Sequence, residues 1–327
     1  MKIWYDACTG KHMRYGSAIA KRLRKTGCEV ILTTRQHPDA LALAELLGEK
    51  PVVVGKYASC SLSMKLKASA KRILLFAEMF KDAMPDFAVS HQSVELCRTA
   101  FGLGIPAIVT ADTPHAEAVN RLTVPLATKL VVSEAVPPQF YKKYGAREIV
   151  RFKGVDEVAW IRDFKPSKDL GFKHPLIVVR QIESGASYAW RKEDITLKLA
   201  RRLSLLGNVV FLSRYSKKKL KNLTVLNKFV DSVSLVAHAD LVVSVGGTIS
   251  REAALQGVPS IVTSEICRAH VNTYLARKGF PLFIVEPSKV VSYAKKFLGK
   301  KFDVKTKLAA LEDPVEVIER LVARKTA

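Results

Sequence analysis

Asp240-Leu241-Val242-Val243-Ser244-Val245-Gly246-Gly247-Thr248-Ile249-Ser250-Arg251-Glu252-Ala253-Ala254-Leu255-Gln256-Gly257-Val258-Pro259-Ser260-Ile261-Val262 reads as a buried strand, a two-glycine turn, a short helix and a second buried strand. Gly246 and Gly247 allow the backbone to approach a ligand closely. The helix opening at Thr248 then offers unpaired amides and the positive end of its dipole to an anion. Glu252 follows one helical turn later, within reach of a sugar hydroxyl. The segment is therefore a candidate phosphate cradle on a strand–turn–helix unit, and it sets the expectation of a parallel α/β fold.

Working outward, short β-branched runs alternate with amphipathic stretches along the whole chain, the pattern of parallel sheets covered by helices on both faces. Strands are expected near residues 3–6, 29–33, 51–54, 86–91, 107–111, 129–133 and 148–152, and again near 176–180, 209–214 and 224–226. Between Gly154 and Pro175 the alternation lapses into a mixed, charged segment. A boundary placed there divides the 327 residues into an N-terminal Rossmann-like acceptor domain, 1–155, and a C-terminal Rossmann-like nucleotide-sugar-binding domain, 156–327, whose last helices cross back over the hinge. In open parallel sheets ligands bind beyond the carboxyl ends of the strands, so two such sheets facing each other would enclose a cleft.

The balance of 53 Lys and Arg against 30 Asp and Glu leaves a formal charge of +23, which points to an anionic partner. The excess is clustered, for example at Lys21, Arg22, Arg24 and Lys25, and at Lys65, Lys67, Lys71 and Arg72. An anionic acceptor, a nucleic acid and a phospholipid surface all fit this charge, and a heat-adapted source would share the composition. The five cysteines are scattered without Cys-x-x-Cys spacing, which argues against a disulfide framework or a zinc ribbon. No signal-peptide core or long apolar run is present at the start, so the expectation is a cytoplasmic protein, with peripheral attachment to the inner face of the membrane as a variant.

Lys228-Phe229-Val230-Asp231, Ala239-Asp240 and Gly246 to Ala253 resemble the donor half of GT-B glycosyltransferases, with the nearest pattern in the transferases that add N-acetylglucosamine to lipid I. The resemblance implies base contacts at Phe229 and Val230, phosphate at Gly246, Gly247 and Thr248, ribose at Glu252, and sugar hydroxyls at Asn272 and Thr273. Ser90-His91, Glu117 to Thr123 and Ser133-Glu134 are similar to UDP-N-acetylglucosamine 2-epimerases, another GT-B group. There the chain departs: Gln92 and Ser93 stand where epimerases have Gly-Asp, and Ala111-Asp112-Thr113 where they have Glu-Ala-Gly. Epimerisation needs carboxyl groups on each side of the sugar, so these departures weigh against it. Taken whole, with its first strand ending in Asp6 and its Asp112-Thr113-Pro114-His115-Ala116-Glu117 segment, the chain resembles the mainly archaeal domain-of-unknown-function family DUF354, which implies the GT-B fold and no reaction.

Candidate chemistry follows from position. Arg180, at the end of a predicted strand, suits a bidentate grip on a leaving diphosphate. Asp6, His12, His91, Asp112, His115 and Glu117 all fall at or just after strand ends in the first half. His12 or Glu117 is the candidate base, with Asp112 orienting His115. Asp112, His115 and Glu117 offer mixed metal donors, but GT-B enzymes stabilise diphosphate with amides and basic side chains, so no metal and no cofactor is assigned. The expected function is glycosyl transfer from a nucleoside-diphosphate sugar, with a 2-epimerase-like enzyme or a basic RNA-binding or RNA-modifying protein as alternatives.

Overall fold

The computed structural model describes residues 1–58, 61–167, 170–181, 195–213, 220–226, 229–263 and 269–323. It divides into two compact units, Met1–Trp160 together with the chain from Glu312 onward, and Ile161–Leu311. Each unit is built on one parallel sheet.

The first sheet contains β1 (Lys2–Ala7), β2 (Glu29–Gln36), β3 (Val52–Lys56), β4 (Phe87–Ser90), β5 (Ala107–Ala111), β6 (Lys129–Ser133) and β7 (Ile149–Phe152), in the order β3-β2-β1-β4-β5-β6-β7. All its pairings are parallel. The second contains β8 (Leu176–Arg180), β9 (Asn208–Leu212), β10 (Thr224–Val225), β11 (Leu241–Ser244), β12 (Ser260–Val262) and β13 (Leu282–Ile284), in the order β10-β9-β8-β11-β12-β13. The order reverses direction between β1 and β4 in one sheet and between β8 and β11 in the other. Crossover helices leave toward opposite faces at such a point, opening a crevice at the carboxyl ends of the strands.

Burial on both faces explains why the strands are apolar throughout rather than alternating. In β8 the odd-numbered side chains Ile177 and Val179 pack with Leu199, Leu203 and Ala294 from two helices, while Leu176 and Val178 pack with Leu235, Val236 and Ala253 from two others. The expected strands are all present, and β13 was not anticipated. The four apolar residues after Pro281 are too few to display a period, and only pairing with β12 makes Leu282–Ile284 a strand.

The helix Gly10–Lys25 lies close against β1 because Gly16 has no side chain; a Cβ there would collide with the Tyr5 ring. Gly16→Ala is therefore expected to destabilise the protein by about 1–3 kcal/mol, the usual penalty for overpacking. Urea denaturation checks this, and an unchanged midpoint would contradict the close approach. The last helix, Pro314–Ala323, returns to the first unit, where Glu319 pairs with Arg22 of the first helix at 2.9 Å. Among the described residues no helix is long and apolar enough to cross a membrane.

Candidate active site

The carboxyl edge of the first sheet gathers a compact polar cluster at the point where strand order reverses. After β1, Thr9 caps the first helix by accepting from the His12 amide, which places Lys11 in the opening turn. Lys11 Nζ donates to Asp112 Oδ2 at 2.7 Å and Asp156 Oδ2 at 2.9 Å, and lies 3.2 Å from His91 Nε2. Asp112 follows β5, His91 follows β4, and Asp156 lies in the segment after β7. His91 Nε2 is 3.3 Å from Asp112 Oδ1, and its Nδ1 is 2.7 Å from Thr110 Oγ1. The side chains of Asp112 and Asp156 are only 12% and 3% exposed, so their charges meet Lys11 in a poorly solvated environment where such pairing is strong.

Several polar atoms around this cluster are sealed from solvent without a partner: the hydroxyls of Tyr5, Tyr15 and Tyr141, and Nδ1 of His12. Burial, followed by the charge of Asp156, pushes the Tyr5 and Tyr15 hydroxyls to higher pKa; burial and then Asp112 do the same for Tyr141. These phenols remain protonated. The His12 ring meets His91 edge-on at 5.1 Å, and burial, then His91 and Lys11, push its pKa well down. His12 is accordingly a neutral imidazole, able to accept a proton but poorly able to hold one. His91, Asp112 and Asp156 offer three metal-ligand atoms within 4.8 Å of one another, though Lys11 Nζ already lies in contact with all three residues.

Other residues expected at this mouth lie elsewhere. Asp6 is fully buried, where it accepts from Arg72 Nη2 at 2.7 Å, Thr33 Oγ1 at 2.9 Å and Ser93 Oγ at 2.5 Å. His115 is exposed in a turn, and Glu117 is exposed at the start of a helix, paired with Arg121 at 2.7 Å. Glu117 does not join the cluster, being turned to Arg121. Lys11 and Asp156, which do, were not singled out from the sequence. The signal available was weak: Lys11 immediately precedes the noted His12, and Asp156 falls where the alternating pattern lapses.

The departures at residues 92 and 93 have physical reasons. Gln92 adopts a φ of 51°, the left-handed conformation that glycine takes most easily, and its side chain is pinned by bonds to Asn120 at 2.7 Å and Thr123 at 3.1 Å. A carboxylate at position 93 would face both Asp6 and Glu95, which the neutral Ser93 hydroxyl contacts without repulsion.

The second unit presents its own edge. Arg180 ends β8 one residue beyond Val179, the partner of Val243 in β11, so it lies beside the approach to the glycine turn. Gly246 and Gly247 have φ of 107° and 109°, which side chains rarely adopt. Gly247 caps the helix Thr248–Leu255 with no side-chain bond, and a Cβ added there would meet nothing within 4 Å. The space beside the Gly247 Cα is therefore open among the described residues. Glu252 is buried on that helix, with Ser232 Oγ donating to Oε2 at 3.4 Å. Val230 is half-buried against the core while Phe229 is 39% exposed. Asn272 is fully buried, accepting from Arg251 at 3.3 Å, whereas Thr273 is only partly buried. Lys228 of the same motif, and the loop residues Ser187 and Tyr188, lie outside the described residues.

A family model described as "Protein of unknown function (DUF354)" matches residues 1–326. A Methanocaldococcus jannaschii protein described as uncharacterized is 30% identical over 335 residues, spanning 97% of this chain and 96% of its own. Among solved structures, the UDP-GlcNAc 2-epimerase of Methanocaldococcus jannaschii, in complex with UDP-GlcNAc and UDP, aligns with a TM-score of 0.72 at 14% identity over 99% of this chain and 100% of that one. The glycosyltransferase SnogD from Streptomyces nogalater aligns with a TM-score of 0.59 at 17% identity over 99% of each chain. At such identities the likeness shows the fold, two parallel-sheet α/β units of the GT-B kind.

Proposed function

The chain belongs to the DUF354 family, and from that premise we propose that it is a nucleotide-sugar enzyme of the UDP-N-acetylglucosamine 2-epimerase type. The observation that carries this reading is the buried meeting of Lys11, His91, Asp112 and Asp156 at the reversal point of the first sheet. The sequence raised two departures against this reading, at residues 92–93 and 111–113; Asp156 brings a second carboxylate to the sheet edge, on the same side as Asp112. Glycosyl transfer, the first expectation, has less support: Glu117, one of its candidate bases, is solvent-exposed and ion-paired, and the transferase likeness is the weaker of the two.

In this reading the glycine turn, the amides at Thr248 and the Arg180 guanidinium hold the diphosphate, while Glu252 meets the ribose. A carboxylate of the Asp112–Asp156 pair takes the proton from the sugar C2 as the bond from C1 to the diphosphate oxygen breaks and UDP departs. A proton from water then adds to the opposite face of C2 while UDP re-forms the C1–O bond, and the proton held by the carboxylate passes to solvent, which gives the epimer and balances the reaction. His12, neutral and beside His91, serves as proton acceptor or relay.

Incubation of the purified protein with UDP-N-acetylglucosamine in D2O, followed by NMR and mass spectrometry, tests this. The expected result is conversion to the 2-epimer with one deuterium at C2, slowed about 10²–10⁴-fold in Asp156→Asn. UDP should raise the melting temperature by mass action, and Gly247→Val or Glu252→Ala should abolish that shift. A UDP shift without deuterium exchange would return the reading to glycosyl transfer; neither effect would overturn both.

A further inference from the structure

Helix Leu62–Met79 and the edge strand β3 before it form a surface that the proposed chemistry does not use. From Lys50 to Ala77 the chain contains no Asp or Glu, while Lys50, Lys56, Lys65, Lys67 and Lys71 all occur. The helix buries Arg72 and Phe76 inward. On its outer side Leu62, Leu66 and Leu74 are 75%, 71% and 71% exposed, in register with exposed Ala70 at successive four-residue steps. Residues so spaced form one stripe along a helix. Lys67 and Lys71 are exposed beside that stripe. Leucines this exposed, aligned and bordered by lysines are unusual on a surface that meets only water.

We infer that this helix seats the protein on an anionic phospholipid surface, its leucines entering the headgroup boundary and its lysines pairing with lipid phosphates. Charge decides between occupants. A second copy docking through the same face would bring two lysine-rich surfaces together with only Glu78, at the end of each helix and already paired with Lys81, as counter-charge. A nucleic acid would satisfy the lysines but leave the leucines against a polar backbone. An anionic bilayer satisfies both at once. The helix carries too many lysines to span, so it lies in the interface.

Flotation of the full chain with vesicles of phosphatidylcholine containing phosphatidylglycerol, against phosphatidylcholine alone, tests the inference. Binding to the anionic vesicles should be at least about tenfold tighter and weaken with salt. The triple variant Leu62→Glu, Leu66→Glu, Leu74→Glu should lose it at an unchanged melting temperature. Lys65→Glu, Lys67→Glu, Lys71→Glu should lose the preference for anionic lipid. Failure of the wild-type chain to float, equal flotation of the leucine variant, or a dimer that the leucine variant dissolves would each overturn it. The UDP-induced thermal shift reports separately on the nucleotide-sugar reading, so the two can fail independently.

Discussion

Arg72→Met is expected to destabilise the first unit by about 3–5 kcal/mol, the penalty for leaving a buried charge without its partner. Arg72 is 1% exposed and Asp6 fully buried, joined at 2.7 Å, with a second contact from Arg72 to Glu95 at 3.3 Å and a bond from Nε to the Val54 carbonyl at 2.8 Å. Burial opposes the guanidinium charge, but the carboxylates of Asp6 and Glu95 hold its proton above the ordinary value. Burial, then Asp6 and Glu95, push the neighbouring Cys8 thiol up to about 12, so it stays neutral and adds no third negative charge beside the two carboxylates. Urea denaturation of Arg72→Met, of Asp6→Leu and of the two combined provides the measurement. The double variant should be less damaged than the single changes predict if added, because it removes the stranded carboxylate. A loss below about 1 kcal/mol in Arg72→Met would mean that the network is not needed for folding.

Lys11→Met is expected to have the largest effect on chemistry. Removing the ammonium takes away the cation that Asp112 and Asp156 share and leaves the two carboxylates beside His91. Two carboxylates so placed cannot both stay ionised cheaply, so the pair should take up a proton at higher pH. The acidic limb of the pH–rate profile should move upward by roughly one unit or more, with a loss in kcat/KM of at least about 10² at neutral pH. Stability supplies a readout that does not depend on the reaction. The raised carboxylate pKa in the folded variant means that its folded state binds more protons than the unfolded chain, so its deficit at pH 8 should shrink as the pH is lowered toward 5. Lys11→Arg should recover part of both properties. A pH-independent deficit and an unshifted profile would remove Lys11 from the site.

The glycine turn shows how much was legible. Gly246 and Gly247, the helix at Thr248 and the apolar strands on either side lie where the residue pattern puts them, because φ preference and burial periodicity are written into neighbouring residues. Asp6 shows the limit. Its position at a strand end was readable, but a strand-end carboxylate can face the crevice or turn back into the core, and Arg72, 66 residues away, decides for the core. His115 and Glu117 belong to the same readable segment as Asp112, yet the turn between them carries both to solvent.

What the sequence by itself determined was the class of fold and the place of the glycine turn at a strand's carboxyl end, since both follow from short-range alternation and from glycines that only one backbone shape accommodates. Which charges meet was decided by the tertiary structure alone. Lys11 stands 80, 101 and 145 residues from His91, Asp112 and Asp156, and no local period links them. Parallel strands with crossover helices bring every strand's carboxyl end to one edge, and the order in which those strands lie side by side selects the four residues that share it.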